Sequence, residues 1–190
     1  MKTYKNENGK RKIRMETDRI LLRKWTLDDA YILVENLNNE TMANDLGTDY
    51  PYTYENARSY IEDAVKHDKE KYAIVYKRNM EVIGGCGLHI TDKLASGNMW
   101  ISPKYHGRGI GTEASILLVE RCFKDLKVDK MENAFFWGND ASRRMQEKVG
   151  AFVCGEKESV MVNGREKIKI KAIITKTNFE TALAGLRGEQ

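Results

Sequence analysis

No apolar run in this chain of 190 residues approaches the roughly 18 that a bilayer-spanning helix requires, so no transmembrane segment is expected. Cysteine is scarce. Cys86, Cys122 and Cys154 are odd in number, far apart and free of any C-x-x-C pair, which speaks against a disulfide framework and a zinc site. The three histidines, His67, His89 and His106, show no ligand spacing, and no metal is expected. With two prolines and no tract rich in Pro, Gly or Ser, nothing marks a linker or an internal repeat. The opening residues, MKTYKNENGKRKIR, lack the apolar core of a secretory signal, and the cytoplasm is the expected address.

What is present is a globular balance: 41% hydrophobic and 32% charged residues. A chain of this length suits one domain that buries about 70% of its unfolded surface. The net charge is +4, yet residues 1–14 alone carry +5 and leave the rest near −1. The basic excess therefore reads as a solvated arm, and nucleic acid is the remote alternative. The expected organisation is a flexible basic tail over 1–14, one domain over 15–180 and a C-terminal tail over 181–190.

The patterning is mixed. Residues 19–25, 72–78, 81–90, 97–102 and 131–137 read as strands, with Asn79–Met80 as a hairpin connector. Thr26 is placed to cap a first helix and Thr53 or Tyr54 to open a second, with residues 44–53 a loop between them. Apolar residues from Ile110 to about Leu126 recur at helical spacing, and a short helix after Asn139 stops at Gly150. The end is a hairpin turning at Asn163-Gly164. In its second strand Lys167, Lys169 and Lys171 alternate with Ile168 and Ile170, a pattern that also suits a protected sheet edge. Helices interleaved with hairpins and crossovers predict an α+β fold, three layers α/β/α around a mixed, mostly antiparallel twisted sheet.

The stretch that carries chemistry is MWISPKYHGRGIGTEASILL. A strand runs into glycines 107, 109 and 111, and a helix follows at once. Such a turn gathers unpaired backbone N–H groups at a positive helix end, a cradle for pyrophosphate. Glycine leaves room for the anion and tolerates positive φ. The spacing is neither the Rossmann G-x-G-x-x-G nor the P-loop pattern, and no ribose-binding acid follows, so NAD and ATP fit poorly.

His106-Gly107-Arg108-Gly109-Ile110-Gly111 resembles the acyl-CoA motif of the GCN5-related N-acetyltransferases, Gln/Arg-x-x-Gly-x-Gly/Ala, with His106 departing at the first position. The resemblance runs in order through ETDRILLRKWTLDDA, PYTYENARSYIEDA, EVIGGCGLHI and NDASRRMQEKVGAF. These segments resemble the RimJ/RimL type, which acetylates ribosomal-protein N-termini. The resemblance implies acetyl-CoA as co-substrate in a cleft between splayed strands at 97–102 and 131–137. Pantetheine would pair near Met99, Trp100 and Ile101. Pyrophosphate would rest on His106, Gly107, Arg108, Gly109, Ile110, Gly111 and Thr112, and Asn139 and Ser142 would lie near the thioester. Asn139 reads equally as a helix N-cap.

The family's usual tyrosine acid is Gln146 here, which leaves Ser142 as the expected proton donor. Ser96 and Ile168 stand where acidic residues are often found, with Glu156, Glu158 and Glu166 nearby. Without a strong base, a low-pKa acceptor is favoured, an α-amine near 7.7–8.0 over a lysine near about 10.4. The expected reaction is direct acetyl transfer in a ternary complex to a protein or peptide N-terminus. A small-amine acceptor (a polyamine, an antibiotic or an amino acid) and a non-catalytic acyl-CoA-binding role are the alternatives. Trp25, Asp45, Asp49, Tyr50 and Tyr52 are the acceptor candidates. A homodimer is one way to cover the strand edge that such a sheet leaves.

Overall fold

Ile20, Leu21 and Leu22 alternate between two apolar layers, and that alternation organises the molecule. The structure, a computed structural model, describes residues 2–5 and 11–188, with side chains from Met15 onward. Two short strands, β1 (Lys2–Lys5) and β2 (Arg11–Arg14), pair antiparallel within the expected N-terminal tail, whose residues 6–10 lie outside the described residues. Then come β3 (Ile20–Lys24), α1 (Ala30–Leu37), α2 (Glu40–Leu46), α3 (Tyr54–Lys66), β4 (Lys71–Tyr76), β5 (Glu81–Thr91), β6 (Leu94–Ile101) and α4 (Ile110–Glu120). The chain closes with β7 (Lys130–Phe136), α5 (Asp140–Lys148), β8 (Phe152–Val162), β9 (Arg165–Thr175) and α6 (Lys176–Arg187). Among the described residues no helix is long and apolar enough to cross a membrane.

β3 to β9 form one seven-stranded sheet in the order β3-β4-β5-β6-β7-β9-β8, antiparallel except between β6 and β7. One face packs Ile20, Leu22, Ile74 and Ile83 against α4 and Phe179 of α6. The other packs Ala73, Val75 and Val82 against Leu33 of α1 and Ile61 of α3. The expected three-layer α+β architecture is therefore the observed one.

The α1 layer is pinned at its entry. The chain enters α1 through a 3-10 turn at Leu27–Asp29, where Arg23 forks onto the buried Asp29 at 2.7 and 2.8 Å. Burial alone would push the Asp29 carboxyl up, but the Arg23 fork and the Thr26 N–H hold it below the usual carboxylate range.

Three local expectations are corrected. The loop expected from residue 44 begins inside α2, a short helix that Asn39 caps by accepting from the Met42 N–H at 3.1 Å and that ends at Gly47 with φ of 69°. The expected C-terminal tail from 181 is the second half of α6. Thr175 caps that helix, and Phe179 and Leu183 dock it on the core. The lysine-bearing strand β9 is not an edge: β7 and β8 flank it, and β8 is the edge. A fourth difference is smaller. After Glu120 the expected long helix widens into a π turn at Arg121–Asp125, which buries both Cys122 and Phe123 and brings Arg121 onto Glu70 at 2.8 Å.

What positions the site is a parting of strands. β6 pairs with β7 only at Leu94↔Lys130 and Ala95↔Met131. Beyond that, β6 stays on β5 through Ile101 and β7 stays on β9 through Phe136. Each is held on its outer side, so the gap between them stays open.

Candidate active site

That gap is a cavity of about 1190 Å³, lined by β6, β7, the loop before α4, residues along α4 and α5, and side chains from α2, β8 and β9. The Gly97 N–H reaches across it to Asn133 Oδ1 at 2.8 Å, whereas the Ser102 N–H donates the opposite way, to the Ile83 carbonyl at 2.8 Å. By strand alternation the main-chain groups of Gly97, Met99 and Ile101 face the cavity, and those of Trp100 face β5. Trp100 instead contributes its indole to the α1/α3 side, where a Cβ at Gly85 would stand only 2.7 Å from it and from Trp25.

The loop is built on backbone conformation. Gly107 and Gly109 have φ of 72° and 75°, the left-handed region that side-chain-bearing residues avoid. Gly111 is different: it lies inside α4, and a Cβ there would meet Met145 Cγ at an ordinary 3.7 Å. Ile110 is buried and offers only its main chain. The N–H groups at the start of α4 thus line the cavity with the positive end of a helix behind them.

Two side chains hold this turn in place. His106 Nε2 lies 2.7 Å from the Ile101 carbonyl. A carbonyl only accepts, so Nε2 carries the hydrogen and ties the loop to the end of β6. Arg19, entering from the start of β3, donates from Nη1 to the Arg108 carbonyl at 3.0 Å and from Nε to Glu113 Oε2 at 2.9 Å. The His106 ring is therefore a brace for the loop, and Arg19 is a second brace that sequence inspection did not single out. Its partners lie 89 and 94 residues away, so nothing local announces it.

At the far end, Asn139 Oδ1 accepts the Ser142 N–H at 3.0 Å, which makes Asn139 the cap of α5. Ser142 Oγ accepts from Gln146 Nε2 at 3.2 Å, and the same Nε2 reaches the Ala134 carbonyl at 3.3 Å. Since the serine oxygen is accepting there, its own hydrogen is left to donate elsewhere. Gln146 is 5% exposed, and its Oε1 is buried with no hydrogen-bond partner among the described residues.

Of the acceptor candidates, Asp45 lines the cavity. Trp25 and Tyr52 are buried under α1 and α3, Trp25 edge-on to Tyr60 at 6.2 Å, so both pack the core. Asp49 and Tyr50 are exposed and lie outside the cavity lining. Ser96, Glu156 and Glu158 line it, while Ile168 and Glu166 do not.

The carboxylates at this end all have lysine partners. Asp45 pairs with Lys167 at 3.3 Å, Glu158 with Lys169 at 3.9 Å, and Glu132 and Glu156 with Lys171 at 3.2 and 3.3 Å. Lys130 and Lys171 hold the Glu132 carboxyl below its usual range, and Glu132 with Glu156 raises Lys171. The roof is a latch between α2 and the β8–β9 hairpin. Asn163 donates to Asn44 Oδ1 at 3.1 Å, Lys167 to the Asn44 carbonyl at 2.9 Å, and Arg165 to Glu40 at 2.7 Å.

Comparison with known proteins places this geometry. The profile of the acetyltransferase (GNAT) domain matches residues 19–151. YoaA, an uncharacterised N-acetyltransferase of Bacillus subtilis, is 27% identical over 143 residues, covering 72% of this chain and 81% of its own. Ribosomal-protein-S5-alanine acetyltransferase of Vibrio fischeri superposes with a TM-score of 0.75 at 18% identity, over 88% of this chain and 99% of that one. Spermidine N-acetyltransferase of Vibrio cholerae, solved with CoA and spermine, gives 0.75 at 17% identity over 86% and 99%. The fold is common to these solved structures, and their acceptors differ.

Proposed function

This chain belongs to the GNAT acetyltransferase family, an acetyl-CoA-dependent N-acetyltransferase by that membership, and we propose that its acceptor is the α-amino group of a peptide or protein N-terminus. The observation that carries the reading is the pairing of Asp45, Glu132, Glu156 and Glu158 with lysines at the acceptor end. A carboxylate held by an ammonium group is a poor base, and a neutralised wall attracts a polycation weakly. An acceptor that is already partly neutral fits such a wall. An α-amine is neutral at pH 7 about 2.5 pKa units more readily than a lysine, worth roughly 3.4 kcal/mol.

Transfer then needs little from the protein beyond alignment. The pyrophosphate of acetyl-CoA rests on the N–H groups at residues 107–112, with Arg108 beside it, and the pantetheine arm runs along β6 against the Met99 main chain. The acceptor nitrogen attacks the thioester carbon, a C–N bond forms, and main-chain N–H groups of the cleft carry the oxyanion. The C–S bond breaks as the nitrogen loses its proton to water. Ser142, its oxygen engaged by Gln146, donates a hydrogen bond to the departing sulfur, and the proton that neutralises the thiolate comes through Ser142 from water, which restores the serine hydroxyl in the same step. A thiol near pKa 8.5 leaves with that modest help.

The test is thiol release from acetyl-CoA with N-terminal peptides, N-blocked lysine peptides, spermidine and an aminoglycoside compared at pH 7. N-terminal peptides should react on the order of 10²-fold faster than lysine peptides, in line with the neutral fractions of the two amines. Faster turnover of lysine, spermidine or aminoglycoside would overturn the acceptor assignment and leave the acetyl-CoA chemistry standing. Binding of acetyl-CoA without turnover of any amine would favour a non-catalytic role.

A further inference from the structure

A large apolar side chain that lines a cavity without packing on the core leaves surface for something else to cover. Of those that line this cavity, all but Met42, Phe136 and Met145 belong to a core layer or pack on one, among the described residues. Met145 already has neighbours in α4. Its Cγ lies 3.7 Å from a Cβ position on Gly111, and its sulfur 2.7 Å from Ser115 Oγ. Met42 and Phe136 remain, both half-buried.

Lys167 brings these two to one part of the wall. Its ammonium sits 4.6 Å from the centre of the Phe136 ring. The same nitrogen donates to the Asn44 carbonyl at 2.9 Å and pairs with Asp45 at 3.3 Å, which fixes α2 beside that ring. On α2, Leu46 also lines the cavity and stands four residues after Met42, so the two share one helix face. Phe136 is close to the chemistry as well. Its carbonyl accepts the Asn139 N–H at 3.0 Å, and Asn139 caps the helix that carries Ser142. The first side chain of a peptide branches from the carbon that bears the attacking nitrogen. A pocket for it must therefore lie within a side chain's length of that nitrogen.

We propose that Met42, Leu46 and Phe136 form an apolar subsite for the first side chain of the acceptor. N-termini that begin with methionine, leucine or phenylalanine are then acetylated in preference to those that begin with alanine or serine. This deepens the α-amine reading and rests on it. A large apolar side chain loses far more surface to such a pocket than the methyl of alanine, and a serine hydroxyl finds no hydrogen-bond partner on these three side chains. The thioether of Met42 can adjust to guests of different shape.

The experiment measures kcat and KM at pH 7 for peptides that differ only in their first residue, Met, Leu, Ala or Ser. It compares the wild type with Met42→Gln, Phe136→Thr, the double variant and the conservative Phe136→Leu. In kcat/KM the wild type should favour Met and Leu over Ala and Ser by about tenfold, the gain from partly burying the larger side chain. Each polar single variant should cut that preference to about threefold and the double variant to within about twofold, mainly by raising KM for the Met and Leu peptides. Phe136→Leu should keep most of it. Calorimetric affinity for acetyl-CoA should stay within about twofold of wild type and so report which variants are folded. Should the double variant fail that check, the single variants decide. A wild type that acetylates Ala or Ser peptides as fast as Met and Leu peptides, or folded polar variants that keep the full preference, overturns the subsite. Failure of the α-amine reading looks different and takes the subsite with it: an N-blocked lysine peptide or spermidine would outrun every N-terminal peptide, whatever its first residue.

Discussion

The two ends of the cleft are built in opposite ways. The end we propose for the donor is made of main chain: a glycine turn at 107–109, the start of α4 and the unpaired side of β6, with Arg19 and His106 as braces. The end we propose for the acceptor is made of charged side chains in pairs, drawn from α2, β7, β8 and β9 and latched by contacts across more than 100 residues of sequence. Main-chain geometry tolerates few substitutions, whereas a set of ion pairs can be rearranged residue by residue. The GNAT neighbours that act on a ribosomal protein and on spermidine share the fold with different acceptors. A fixed donor end beside a variable acceptor end is a physical way to obtain that.

The contrast can be broken most sharply at the loop. Gly109→Val places a β-branched residue at φ of 75°, a strain of about 2–3 kcal/mol, and should weaken acetyl-CoA binding by roughly 30–100-fold in calorimetry. The α1 layer is tested through its anchor. Asp29→Ala leaves the Arg23 guanidinium without its fork and should lower unfolding stability by about 2 kcal/mol, below the range for fully buried pairs because Arg23 reaches solvent. The folded Asp29 pKa is depressed, so its contribution is present above the unfolded value near about 3.9 and is lost as pH falls through the lower folded value. Asp29→Asn should therefore flatten the acid limb of the stability profile measured by denaturant titration below about pH 4.

A smaller effect separates the two ends directly. Lys167→Met removes the bonds to Asn44 and Asp45 and should raise the acceptor KM about fivefold, with acetyl-CoA affinity changed less than about twofold. The smallest is a control on the loop itself. Gly111→Ala adds a methyl at an ordinary contact distance within α4, and acetyl-CoA affinity should stay within about twofold. A large loss there would mean that the turn needs space as well as its two left-handed glycines.

The same contrast explains what could be read in advance. The strand edges, the Asn163-Gly164 turn and the glycine turn before α4 each leave a mark within a few residues, because backbone conformation is a local property. α2 left little: seven residues are too few for a clear helical period, and its cap, Asn39, also reads as a turn residue. α6 was missed because its apolar residues, Phe179 and Leu183, are few and make sense only against the core they cover. Trp25 and Tyr52 look like acceptor-binding aromatics in sequence. Gly85 and α3 give them a buried place instead. At Gln146 the sequence showed a missing tyrosine, and the structure gave the replacement a task, the hydrogen bond to Ser142.

By itself the sequence determined the order of the strands β3 to β9, the α+β class and the glycine turn before α4, since hydrophobic period and glycine torsion act over a handful of residues. Tertiary structure decided how far β6 and β7 run together before they part, which carboxylates meet which lysines, and which apolar side chains stand at the cavity wall outside the core. Those depend on contacts between segments distant in the chain, and no local pattern encodes a distance between them.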